Sequence, residues 1–146
     1  MKTCLVICGV EDEKVEKCGR AGRKLEEWVC ANIDKYDHSM AIIRVAGNRN
    51  FNRGQKEFVD DNANIKYNPG SLYLVQGYDL DVANMPRDFE YHICGISTAA
   101  TVMSIALSMY SVGLNIRILE DKCLDRLGFH KEAIKIMRAY MPECVI

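Results

Sequence analysis

"YHICGISTAATVMSIALSMYSVGLNIRILEDKC", residues 91–123, places a strand, a turn, a helix and a second strand in unbroken succession. Tyr91 to Gly95 and Asn115 to Leu119 are short apolar runs of the kind that form buried strands. Between them, Ser97 or Thr98 offers a hydroxyl to cap a helix start, and Gly113 suits the left-handed residue that ends one. A strand, a crossover helix and a strand in this compass form a parallel pair. Val102, Ile105, Ala106 and Met109 line one face of the helix, while Met103, Leu107 and Tyr110 make the opposite side apolar too. That pattern predicts a helix covered on both sides, by the sheet and by another helix or a second subunit.

Working outward, "CLVIC" (4–8), "MAIIRVA" (40–46) and "SLYLVQ" (71–76) supply three more runs with the same reading. The stretch "VEKCGRAGRKLEEWVCANI" sets Val15, Cys18, Leu25, Trp28 and Val29 at helical spacing against a charged face, so it is expected to be one crossover helix, weakened at Gly19 and Gly22. Its "GRAGRK" lies inside the amphipathic pattern and lacks the strand-to-turn context of a phosphate loop. "HKEAIKIMRAY" forms the last helix, started by His130, and "PECVI" adds a short final strand. The expected fold class is α/β: a doubly wound, mainly parallel sheet with helices on both faces, in one domain spanning residues 1–146. Two polar connections, 47–70 with a short helix around Gln55 to Val59, and 77–90, are long enough to suggest functional loops.

With 49% hydrophobic and 27% charged residues among 146, the chain has the material for one soluble core. A net charge of -1 gives no global reason to bind a nucleic acid polymer or an anionic membrane. The N-terminal apolar run is too short for a signal or spanning segment, which leads to an expectation of a cytoplasmic protein. Seven cysteines without paired metal-site spacings read as small buried hydrophobes, Cys8 set aside. Asp37-His38 falls in a helix-to-strand turn, His92 reads as a satisfied core histidine, and neither a metal nor a cofactor is expected.

Ligands of open α/β sheets sit beyond the carboxyl ends of the strands, which here means Cys8, Asn48 and Arg49, Gln76 to Tyr78, Ser97 to Thr101 and Asp121 to Cys123. In these places the sequence resembles the isochorismatase-like cysteine hydrolases, the superfamily of nicotinamidases and N-carbamoylsarcosine amidohydrolase. Members have a glycine, an apolar residue and a Thr-Asp turn before a Cys-Val helix start, then an alanine-rich helix, a glycine, a strand and an Asp-x-Cys or Asp-Ala loop. "GISTAATVMSIALSMYSVGLNIRILEDKC" follows that frame without gaps, "FHKEAIKIMRAY" resembles the closing helix, and "CLVICGVEDE" resembles the opening strand.

The resemblance implies a Cys nucleophile, an Asp general acid/base and a supporting Lys, an arrangement in which the helix start and the ammonium favour the thiolate. The corresponding positions hold Thr101, Cys8 and, near the end of the third run, Val75 or Gln76; Ala99 takes the place of the turn aspartate. Thr101 needs an adjacent base to attack, and Cys8 has only Glu11, Asp12 and Thr101 nearby, carboxylates that would raise its pKa. The expectation is therefore a catalytically inactive relative, with no catalytic residues, that binds a nucleotide-derived or amide-containing small molecule. The ligand-binding candidates are Cys8, Asn48, Arg49, Gln76, Tyr78, Thr98, Ala100 and Thr101, with Arg44 and Arg53 completing a basic cluster beside the cleft. A homo-oligomer is expected. Two other readings stay open: an amidase-type hydrolase using Cys8 or Thr101, and a protein-interaction module on the same scaffold.

Overall fold

The computed structural model describes residues 1–10, 12–43, 72–76 and 82–146. Strands β1 (Lys2–Cys8), β2 (His38–Ile43), β3 (Leu72–Gln76), β4 (Phe89–Ile96) and β5 (Asn115–Leu124) form one sheet in the order β3-β2-β1-β4-β5. All four neighbouring pairs are parallel. The five apolar runs are thus the five strands, and β1, β4 and β5 are adjacent as their sequence implies. β1 lies at the centre, where both faces are covered, and for that reason reads as a continuous apolar run: Leu5, Val6, Ile7 and Cys8 are fully buried.

Alternation along β1 feeds two core layers. Cys4, Val6 and Cys8 pack with Val102, with Ile105 and Met109 of α3 (Met103–Ser111), and with Ile134 and Met137 of α4 (His130–Tyr140). Leu5 and Ile7 pack on the other face with Leu25, Val29 and Ile33, the first two carried by α2 (Gly19–Asn32). Reversal of strand order on the two sides of β1 sends the crossovers to opposite faces, which is the doubly wound arrangement.

The first crossover is two helices, α1 (Asp12–Lys17) and α2, rather than one. Gly19 at φ +59° turns the chain between them, and at Gly22 a Cβ would run into the Val15 carbonyl. The glycines that weaken a single helix are what allow two to cross closely.

The helix after β4 also differs from expectation. It opens with a π-helical turn, Thr98–Val102, before α3 begins. Ile105, Ala106 and Met109 are buried, but Leu107 and Tyr110 are exposed in the single chain, so the far side of α3 is covered only in part. At its end Gly113 takes φ +82°, the left-handed stop. β5 runs further than "NIRIL": Ile118 pairs with Ile93, residues 119–122 leave the ladder, and pairing resumes at Cys123 with Gly95. The tail joins its outer edge, where the Ile118 N–H donates to the Cys144 carbonyl at 2.7 Å and the Ile146 N–H donates to the Ile118 carbonyl at 2.9 Å. Among the described residues no helix is long and apolar enough to cross a membrane.

Candidate functional site

The register sets Cys8, Ile42 and Gly95 level at the carboxyl edge, with Gln76 opposite Ile43 one step beyond. Here β1 and β4 press together. A Cβ on Gly95, at φ +130°, would collide with the Cys8 carbonyl, and one on Gly9, at φ +56°, with the Ile96 carbonyl. Only glycine fits either place. The backbone then turns through a cis Ile96–Ser97 peptide into Thr98–Val102.

That turn is held from the loop after β5. Asp125 accepts the Ala99 N–H on Oδ1 at 2.8 Å, and the Leu127 and Phe129 N–H groups on Oδ2 at 3.1 and 2.9 Å. Burial pushes the Asp125 carboxyl up, yet these three donors and the nearby His130 outweigh it, and the pKa lies below its ordinary value. Ser97 makes no capping bond of its own. Its Oγ instead accepts the Arg126 N–H at 3.2 Å, and the fully buried Thr98 hydroxyl shares a 2.8 Å hydrogen bond with Nδ1 of His130, the first residue of α4. The cap expected from a hydroxyl thus comes from a carboxylate 26 residues downstream. Asp125, which precedes a Gly and a helix start, carries a turn signal in the sequence; its reach back to Ala99 does not.

The other candidates are placed as follows. Cys8 is fully buried in the α3 layer, where it packs with Val102 and Cys123. Burial raises its thiol pKa well above 9.0, Cys123 adds to this, and the Lys14 ammonium works the other way with smaller effect. Lys14 comes from α1, and a side chain at Gly9 would meet its Nζ, so it reaches the end of β1. Sequence spacing gave no signal for that approach. Thr101 is half-buried and Ala100 exposed, so the turn presents them outward while Thr98 points in. Among the described residues no base is hydrogen-bonded to the Thr101 hydroxyl, and His130 is engaged by Thr98. Gln76 ends β3. Asn48, Arg49 and Tyr78, with Arg44, Arg53, Glu11 and the helix expected around Gln55 to Val59, lie outside the described residues.

At the amino-terminal edge, His92 is satisfied but not fully buried. Its Nδ1 pairs with the Tyr36 hydroxyl at 3.0 Å and its Nε2 with Glu90 at 2.6 Å. Asp37 accepts the Thr3 N–H at 2.8 Å, a structural role for the Asp37-His38 pair. Among the described residues no cluster of His, Cys, Asp or Glu is arranged to hold a metal ion.

No family model matches this chain. No curated protein matches it in sequence. Solved structures do match over its whole length. A nicotinamidase from Staphylococcus aureus superposes with a TM-score of 0.76 at 19% identity, covering 99% of this chain and 98% of its own. A Bacillus subtilis nicotinamidase gives 0.74 at 17% identity, with 99% of each chain covered. An isochorismatase-like hydrolase from Alkaliphilus metalliredigens gives 0.61 at 15%, covering 100% of this chain and 94% of the other. The chain has the isochorismatase-like hydrolase fold, as the resemblance in residues 91–146 implies. At such identities the likeness carries the architecture and leaves the chemistry to the residues themselves.

Proposed function

We propose that this chain binds a small molecule, nucleotide-derived or amide-containing, at the carboxyl ends of β1, β3 and β4 and does not hydrolyse it. The observation that carries the reading is the state of Cys8. A fully buried thiol stands where the resemblance places the general acid/base, and burial holds it protonated at neutral pH despite Lys14. It is a poor nucleophile in that form and no substitute for a carboxylate. Thr101, at the helix start, has no hydrogen-bonded base among the described residues to activate it. What supports retained binding is the anchoring of the turn: Asp125, Ser97, Thr98 and His130 hold Thr98 to Thr101 in one geometry.

The test is mass spectrometry of the protein purified under native conditions. The expected result is a stoichiometric small molecule, released unchanged on denaturation. Protein that carries none, and binds none of a panel of amides and nucleosides, contradicts the reading. Assembly of copies over the exposed Leu107 and Tyr110 side of α3 belongs to the same proposal; sedimentation equilibrium of wild type and Leu107→Glu reads it, and a monomeric wild type would end it.

A further inference from the structure

A cleft of about 460 Å³ opens between the α1–α2 junction and the end of β5. Lys17, Cys18 and Ala21 form one wall, Glu120, Asp121, Cys123 to Arg126 and His130 the other. It shares no residue with the candidates at the ends of β1 and β3. Its volume is that of a site for a small ligand.

Much of its polar lining is already committed. Glu120 is bonded to Arg138 at 3.0 Å, and the Asp125 carboxylate serves three backbone N–H groups. The backbone of Arg126 is fixed to Ser97, which leaves its guanidinium at the cleft without a described partner. His130 gives Nδ1 to Thr98 and itself lines the cleft. Glu120 is thus paired with a cation and Asp125, though charged, is turned to its three backbone donors, while Asp121 lies exposed on the same wall; beside Cys18 a guanidinium and an imidazole remain to recognise an anion. Ala21 and Leu124 supply apolar floor, and the half-buried Cys18 thiol lies within reach of both the Asp125 and Arg126 charges. The walls are set before any ligand arrives.

We propose that this cleft is a second small-molecule site, which takes a carboxylate-bearing ligand on Arg126 and His130 beside Cys18. Because Asp125 and His130 also hold the Ser97 to Ala99 turn, an occupant would rest against the same clamp that fixes the candidate site on the other side.

Cys18 makes the cleft testable with a reagent pair of equal size and different charge. Iodoacetate and iodoacetamide both alkylate a thiolate, sulfur displacing iodide while the thiol proton goes to solvent, and Cys30, exposed on α2, is the internal reference. Peptide mass spectrometry of the native full-length chain gives the Cys18/Cys30 labelling ratio. The ratio is expected to be about fivefold higher with iodoacetate, the scale of one partly exposed charge pair. It should level off as iodoacetate concentration rises, and should fall to the iodoacetamide value in Arg126→Gln. That variant removes only the side chain, so the backbone bond to Ser97 stays, and any change in thiol pKa affects both reagents equally. Equal ratios for the two reagents, a rate that climbs linearly with iodoacetate, or a preference unchanged in Arg126→Gln would each overturn the site.

Discussion

The carboxyl ends of β1 and β5 stand two places apart in one sheet, on either side of β4, and have opposite chemistry. β1 ends in Cys8, buried among Val102, Cys123 and aliphatic neighbours with a thiol held protonated. β5 runs on into Asp125, a charged carboxylate matched by three backbone donors. A buried group is tolerated when it needs no partner or when it has all of them. The first end takes the former course and the second the latter. Among the described residues, charge has an anchoring role at the end of β5, while at the end of β1 the Lys14 ammonium approaches a thiol that burial keeps protonated.

The contrast can be broken from either side. Alkaline pH should have the largest effect, because the protonated thiols of the dry core fail together. Burial lifts Cys4 and Cys123 to about 12, and Cys8 and Cys94 well above the ordinary 9.0. A raised folded pKa gives stability that is complete below pH 9.0 and is lost as pH climbs toward 12. Urea midpoints should therefore fall steadily above pH 9, to cooperative unfolding; a midpoint flat to pH 11 would mean that these thiols are solvated. Next comes Cys8→Asp, which places a carboxyl in that core and should cost about 4 kcal/mol or more at pH 7. Its folded pKa would be raised, so the loss should shrink as pH falls toward 4 and grow above it. A cost under about 1 kcal/mol, independent of pH, would show that the strand end admits water.

From the other side, Asp125→Ala strands three N–H groups and should cost about 3 kcal/mol in urea unfolding. The native carboxyl has a lowered pKa, so its contribution is present above the ordinary 3.8 and disappears as pH falls below it. Asp125→Asn should flatten that acid limb while costing less at pH 7. Thr98→Val, which removes one buried hydroxyl from His130, should have the smallest effect, about 1 kcal/mol.

Sequence periodicity places all five strands, since buried parallel strands leave continuous apolar runs, and the resemblance after Tyr91 identifies the fold. It misses what depends on chain segments meeting across the molecule. The break between α1 and α2 turns on the Gly22 backbone meeting Val15. The outward excursion of residues 119–122 has no pattern of its own. Thr98 reads as a ligand contact on position alone, and only the packing of α4 against the turn brings His130 to its hydroxyl. The same holds for Lys14 and Cys8: the sequence does not signal that this ammonium arrives over Gly9, whose positive φ shapes the end of β1.

The central claim is that the scaffold binds without turnover, and its most direct test is ammonia release measured from nicotinamide and a panel of aliphatic amides with the native chain in known molar amount. The account predicts less than one product per subunit over hours, with wild type, Cys8→Ala and Thr101→Ala alike. Several products per subunit, abolished by Cys8→Ala or Thr101→Ala while binding persists, would contradict it and make the chain a hydrolase with a rearranged site.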